Sequence, residues 1–256
     1  MSARLMTPDE CVEEVRNIVS AGEKRGIILR LTGGLVVRCH CKKYLHLYDA
    51  MKRKVNDLDF ITYSQYRERL KPFFIEMGYK PDERFLAYFG HKRQKYYNES
   101  NGMEIDLFID KLEMCHNISF KGRLELDSPT ITLADFILTK MQIVELNEKD
   151  IKDTVVILRE HEVGESDNET INAKYIAKVL SKDWGFYYTV TSNLKKVKNA
   201  LQSISVLRDE DRVDVSSKIN KLLKYIVDEP KTLGWKIRAS IGTKKKWYTD
   251  VEEVVR

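Results

Sequence analysis

Asp57-Leu58-Asp59-Phe60-Ile61-Thr62 is the stretch on which the fold turns. It opens with polar and apolar residues in alternation and continues with aromatic and β-branched ones, so Asp57 to Tyr63 reads as a strand. Residues i and i+2 of a strand share a face. Asp57 and Asp59 therefore lie side by side, with Leu58 turned to the core. Two aligned carboxylates repel each other unless a cation sits between them. Mg²⁺ suits that position, because it takes oxygen ligands and shares them with phosphates. An isolated Asp-x-Asp is more often a solvated strand edge, so the surroundings of this one decide its meaning.

Working outward, Ile27-Ile28-Leu29-Arg30-Leu31 is a short apolar run that ends in Thr32-Gly33-Gly34. It reads as a strand entering a glycine turn, with Leu35 to Arg38 opening a helix. Glycine lets backbone N–H groups approach a phosphate, and a helix N-terminus adds a favourable dipole. Downstream, Met103 to Asp110 reads as a further strand, introduced by the hairpin signal Asn101-Gly102. It carries a third acid, Asp106, on the same face as Glu104 and Phe108. A carboxylate there can join a metal site or accept a proton from an attacking hydroxyl. Three such elements in this order favour catalysis over a solvated edge.

The remaining pattern fills in an α/β architecture. Thr7 with Glu10 has capping-box spacing and Pro8 follows the cap, so a first helix is expected from Thr7 to about Ala21. Ser64 to Met77 reads as a helix capped by Ser64, and Phe85 to Phe89 and Gln94 to Tyr97 read as strands. Beyond Leu126 the pattern turns helical, over 133–146, 149–159, 171–180, 194–206 and 213–227. Two domains are expected: an α/β core over 1–128 and a helical domain over 129–256.

Composition agrees with a globular chain, at 43% hydrophobic and 32% charged residues over 256 positions. The apolar runs are too short for a membrane span. Met1 to Glu14 lacks the basic-then-apolar pattern of a signal peptide, so the expected compartment is the cytoplasm and no membrane partner is expected. A net charge of +5 permits an anionic substrate such as a nucleotide or RNA. Cys11, Cys39, Cys41 and Cys115 are too few and too irregular for a disulfide framework. Cys39-His40-Cys41 and Cys115-His116 lack the C-x₂-C spacing of structural zinc, and buried thiols beside packed imidazoles are the expected reading. Basic clusters at 52–54, 195–198 and 244–246 can contact RNA phosphates but read more readily as solvated faces, and Tyr96-Tyr97 and Tyr187-Tyr188 can stack on bases but read more readily as packing residues.

The glycine turn, the Asp-x-Asp strand and the later single-acid strand resemble those of the nucleotidyltransferase superfamily. The chain looks most similar to prokaryotic nucleotidyltransferase family proteins related to AbiEii-type toxins. The stretches that carry this are LTGGLVVRCH (31–40), KVNDLDFIT (54–62), EIDLFIDKLEMCH (104–116), LADFILTKMQIVELNEKDIKD (133–153) and EPKTLGWKIRAS (229–240). The resemblance implies a polymerase-beta-like mixed sheet followed by a helical domain. It implies transfer of a nucleoside monophosphate from an NTP to an acceptor hydroxyl, with pyrophosphate released. The acceptor would be a tRNA, a protein or a small molecule, and the role is toxin-like in some relatives. It further implies that Asp57, Asp59 and Asp106 hold Mg²⁺ or Mn²⁺, and that Lys140 and Asp153 join the site from later helices, with Lys149 and Asp150 as neighbours. Thr32, Gly33 and Gly34, with Arg38 and Arg53 from the long basic segment 35–55, would contact the nucleotide. The competing reading is a nucleotide- or RNA-binding module of the same fold without turnover.

Overall fold

The computed structural model describes residues 6–53 and 57–251. Met1 to Leu5, Lys54 of the first basic cluster, and Val55 and Asn56 of the stretch 54–62 lie outside the described residues. In chain order the elements are α1 (Pro8–Lys24), β1 (Leu29–Thr32), α2 (Val36–His40), α3 (Leu45–Ala50), β2 (Asp57–Thr62), α4 (Arg67–Glu76), β3 (Lys80–Pro81), α5 (Glu83–Phe89), β4 (Arg93–Asn98), β5 (Met103–Ile109), β6 (Lys111–Glu113), β7 (Asn117–Ser119), α6 (Leu133–Met141), α7 (Glu148–Glu160), β8 (Glu162–Gly164), β9 (Thr170–Asn172), α8 (Ala173–Leu180), α9 (Trp184–Ala200), α10 (Asp209–Asp228) and α11 (Leu233–Ile241).

The chain divides into two compact units. The first holds Met1–Cys39, Lys54–Leu112 and Ser119–Thr132; the second holds His40–Arg53, Glu113–Ile118 and Leu133–Arg256. The division differs from a single boundary at 128/129 for two physical reasons. Residues 129–131 are bonded to β1, since Leu31 N–H donates to Pro129 O at 2.9 Å and Ile131 N–H donates to Leu31 O at 3.0 Å. Residues 42–53 are bonded to α7. The backbone N–H groups of Lys42, Lys43 and Tyr44 donate to the Glu160 carboxylate, and Tyr48 and Arg53 donate to Asp153.

In the first unit a mixed sheet has the order β1-β2-β5-β4-β3. β2 runs antiparallel to β1 and parallel to β5, and β4 runs antiparallel to β5 and β3. Burial along β5 alternates strictly: Met103, Ile105, Leu107 and Ile109 are buried, while Glu104, Asp106 and Phe108 reach the wetter face. α1 packs on β1 through Cys11, Val12, Val15, Ile18 and Val19. Its N-terminus has the expected capping box, with Thr7 N–H donating to Glu10 Oε2 at 2.7 Å.

Phe85 to Phe89 is helical, not a strand. Asp82 caps α5 by accepting from Phe85 N–H at 2.9 Å, and the Phe85 and Phe89 rings meet at 5.0 Å. An aromatic run suits a strand by propensity, but the i, i+4 ring pair and the Asp cap select the helix. The helix expected from Ser64 begins as a 3₁₀ turn, Ser64–Tyr66, before α4.

In the second unit α6 is buried along its whole length and packs against α7, α8 and α9. α10 lies against α7, α8 and α9, fixed to α7 by Arg159, whose guanidinium reaches Asp211 at 2.7 Å and Asp214 at 3.2 Å. No described helix is long and apolar enough to cross a membrane.

Candidate carboxylate site

The register of the first unit's sheet sets its acids in two rungs. Asp57 pairs with Glu104, and Asp59 pairs with Asp106 across the parallel β2–β5 ladder. Thr32 on β1 stands opposite Asp59, and Lys95 on β4 stands opposite Asp106. Cross-strand partners share a face. Thr32, Asp59, Asp106 and Lys95 therefore form one row, and Asp57, Glu104 and Tyr97 the next. The opposite face is the core, where Leu58, Phe60, Ile105 and Leu107 are closed to solvent.

The glycine turn is fitted to this row. Gly33 has φ +77°, a conformation that other residues rarely adopt. A Cβ built on Gly33 would fall against Asp59 Oδ2, closer than real Cβ contacts allow. The absence of a side chain at 33 is thus what gives the Asp59 carboxylate its position beside the turn. The helix that follows, α2, has only five residues. Its dipole is correspondingly small, and the helix-terminus contribution expected at Leu35–Arg38 is minor. Arg38 is half-buried on α2.

Asp106 has a partner that the sequence reading did not foresee. Arg93 grips it with both arms of its guanidinium: Nε donates to Oδ1 at 2.7 Å and Nη2 donates to Oδ2. Lys95 Nζ is 3.9 Å from the same carboxylate. Arg93 is held above its ordinary pKa, first by the hydrogen bonds to Asp106, with burial opposing and the charges of Asp106 and Asp59 adding. Its guanidinium lies 4.8 Å from the Phe108 ring centroid and 5.9 Å from that of Phe85 on α5. Lys95 Nζ lies 5.2 Å from the Phe85 ring. The available signal was register: Arg93 and Lys95 alternate on a strand beside β5, which places both on the acid face.

Lys140, Asp153, Asp150 and Arg53 belong to a buried charge cluster within the second unit. Lys140 Nζ lies 2.7 Å from Asp153 Oδ2 and 3.3 Å from Asp150 Oδ1. Arg53 donates to Asp153 from Nε at 2.9 Å and from Nη2 at 3.2 Å, and Tyr48 O–H donates to Oδ1 at 2.8 Å. Asp153 is wholly buried. Two cations and two carboxylates cancel, which is the usual condition for burying such groups. Burial pulls the Lys140 pKa down, but Asp153 and Asp150 outweigh it and the net shift is upward. All of α6 is buried, and the Lys140 ammonium is held by Asp153 and Asp150. Arg53, expected to face a nucleotide, has its guanidinium fork engaged by Asp153. Lys149 is exposed.

The Cys115–His116 pair also resolves. His116 stacks on Phe186 at 5.0 Å and has Nε2 2.9 Å from Thr189 Oγ1, beside the buried Cys115. That is the packed imidazole expected. The second unit holds a cavity of about 510 Å³ lined by Trp184, Trp235 and Trp247 and by Lys182, Arg238 and Lys246. Sequence reasoning missed it, because its aromatics are scattered over 64 positions of chain.

No family model matches the chain, and no curated protein matches it significantly.

The acid face offers oxygen donors only, from Asp57, Asp59 and Asp106. This is a donor set for Mg²⁺ or Mn²⁺ and not for a soft metal. Asp57 is exposed at the strand start, and Asp59 and Asp106 are half-buried.

Proposed function

We propose that the first unit is a Mg²⁺- or Mn²⁺-dependent nucleotidyltransferase core of the polymerase-beta-like type, related to the AbiEii-type toxin family. The observation that carries the reading is the row Thr32–Asp59–Asp106, seated against a glycine whose Cβ would displace Asp59. A structural sheet face has no need to set four carboxylates in two adjacent rungs. An anionic substrate brought by a divalent cation gives them a purpose.

The residues divide the work as follows. Asp57 and Asp59 would hold the cation, with Asp106 completing the donor set. When bound, Mg²⁺ would neutralise the phosphates and align the α-phosphorus for in-line attack. Gly33 and Gly34 would let the backbone approach the triphosphate. The acceptor hydroxyl forms the new bond to the α-phosphorus, the α–β bridge breaks, and pyrophosphate leaves. Arg93 orients the Asp106 carboxylate, the group that would accept the hydroxyl proton. Arg93 and Lys95 add positive charge beside the phosphates, where preorganised charge is most effective. Acceptors consistent with this chemistry are tRNA, protein side chains and small-molecule hydroxyls.

The test is incubation of the chain with each α-labelled NTP, Mg²⁺ and total cellular RNA or protein. Label should pass to one fraction with wild type and not with Asp59→Asn. No transfer from any NTP to either fraction would remove the enzyme reading.

A second reading is favoured by the Arg93–Asp106 pair. A carboxylate already neutralised by a guanidinium fork is poorly placed to serve as a third metal ligand, which suits a nucleotide- or RNA-binding module without turnover. The cavity of the second unit, lined by aromatic and basic residues, suits base stacking in the same sense. NTP binding without transfer of label would select this reading.

A further inference from the structure

We infer that His40, His161 and Glu169 of the helical unit form a site for a zinc-class divalent metal ion. One nitrogen of each ring and one carboxylate oxygen lie within 4.8 Å of one another. Glu169 stands between the two rings: Oε1 is 3.9 Å from His40 Nδ1, and Oε2 is 3.8 Å from His161 Nδ1. In a tetrahedral zinc site with ligands at about 2.0–2.1 Å, neighbouring donors are separated by about 3.3–3.5 Å. The donor atoms, within 4.8 Å of one another, need close by up to about 1.4 Å to reach that spacing.

The fold brings His40 to a β8–β9 pair that holds His161 and Glu169 together. His40 ends α2, and His161 caps the C-terminus of α7. β8 and β9 pair in parallel, with Glu162 opposite Thr170. Continuing that register one residue back sets His161 opposite Glu169. Glu169 has φ +53°, a strained value for a glutamate, and in that conformation its backbone carbonyl meets His161 Nδ1 at 3.2 Å.

The state of His161 is the independent observation. Its side chain is 7% exposed. With Nδ1 on the Glu169 carbonyl, Nε2 is buried without a hydrogen-bond partner. A buried polar atom left unpaired costs stability unless something fills it. Anchoring one ring nitrogen on a backbone carbonyl and leaving the other for an ion is how histidine ligands are oriented. Two imidazoles and a carboxylate select Zn²⁺, Co²⁺ or Ni²⁺ over Mg²⁺, and leave a fourth position for water. The Glu169 side chain is 68% exposed, so an ion has a route in.

The flanking thiols take no part. Cys41 is buried with Sγ 3.9 Å from Val156 O, and neither Cys39 nor Cys41 lies within the donor group.

The experiment uses the full chain, stripped with chelator, dialysed and titrated with Zn²⁺ and separately with Co²⁺. Expected are one tight ion per chain, visible Co²⁺ absorption of the intense four-coordinate kind, and a rise in melting temperature with Zn²⁺. Glu169→Gln, a surface change that leaves the fold intact, should weaken Zn²⁺ binding by at least about tenfold and abolish the melting shift. His161→Gln should do the same, and Cys41→Ser should change neither readout. No binding above dialysis background, or binding unaltered by Glu169→Gln and His161→Gln, would overturn the inference.

Discussion

Gly33, Asp153 and His40 are the residues whose surroundings dictate most. Gly33 combines a positive φ with a carboxylate where its Cβ would be. Gly33→Ala should cost about 1–2 kcal/mol from the backbone alone, with Asp59 displaced besides. Thermal unfolding measures the first effect and NTP calorimetry the second; a variant with unchanged melting and binding would refute the seating of Asp59. Asp153 receives Lys140, Arg53 and Tyr48 in a site closed to water. Asp153→Ala should cost about 3–5 kcal/mol, because it strands buried cations, whereas the exposed Lys149→Ala should cost under about 0.5 kcal/mol. Similar urea midpoints for the two variants would contradict the cluster. Burial pushes His40 down to about 4, Glu169 opposing and His161 adding to the shift. In the unfolded chain a histidine titrates near about 6.5. Between those values the unfolded state takes up a proton that the folded state refuses, so stability falls as pH falls through that window, by up to about 3 kcal/mol. Burial lowers His116 as well, in the same direction. Urea unfolding of the metal-free chain at about pH 7 and about pH 4.5 should show the loss, and His40→Asn should flatten it; an unchanged slope in that variant would show that His40 does not carry it.

At the scale of elements, α5 decides how the acid face is furnished. Asp82 caps it, and Phe85 then lies over Lys95 and Arg93. Asp82→Ala should destabilise the chain by about 1 kcal/mol, measured by thermal unfolding; no change would mean that the cap is redundant. This helix was illegible in the sequence, because Phe85-Leu86-Ala87-Tyr88-Phe89 satisfies strand propensity and helical i, i+4 pairing alike. β2 and β5 were legible because their polar–apolar alternation is one-sided, and α1 because its capping box and apolar spacing agree. β8 and β9 were not, since three-residue strands leave no period to read, and the His161–Glu169 juxtaposition depends on their register. The same holds for Arg93 on Asp106: strand parity gave the face of each residue, but the partner across the ladder needed the strand order.

On the scale of the whole chain, the change from mixed sheet to helices was legible in composition, and the assignment of 40–53 was not. That segment joins the second unit through Glu160 and Asp153, acids more than 100 positions away in sequence. The candidate carboxylate site was legible almost residue by residue, since Asp57, Asp59 and Asp106 lie on strands whose parity is plain. For Lys140 only the resemblance pointed to an acidic partner; the pattern of α6 left water and an anion both open, because the choice depended on the packing of α6 against α7. The central claim is that the acid face holds a divalent cation for a nucleotide, and its most direct test is calorimetric titration of NTPs into wild type and Asp59→Asn, each with Mg²⁺ and with EDTA. Both proteins should melt alike, because aligned carboxylates do not stabilise a metal-free sheet. Wild type should bind an NTP only with Mg²⁺, and Asp59→Asn should lose that binding; equal NTP affinity in EDTA, or in Asp59→Asn with Mg²⁺, would contradict the account.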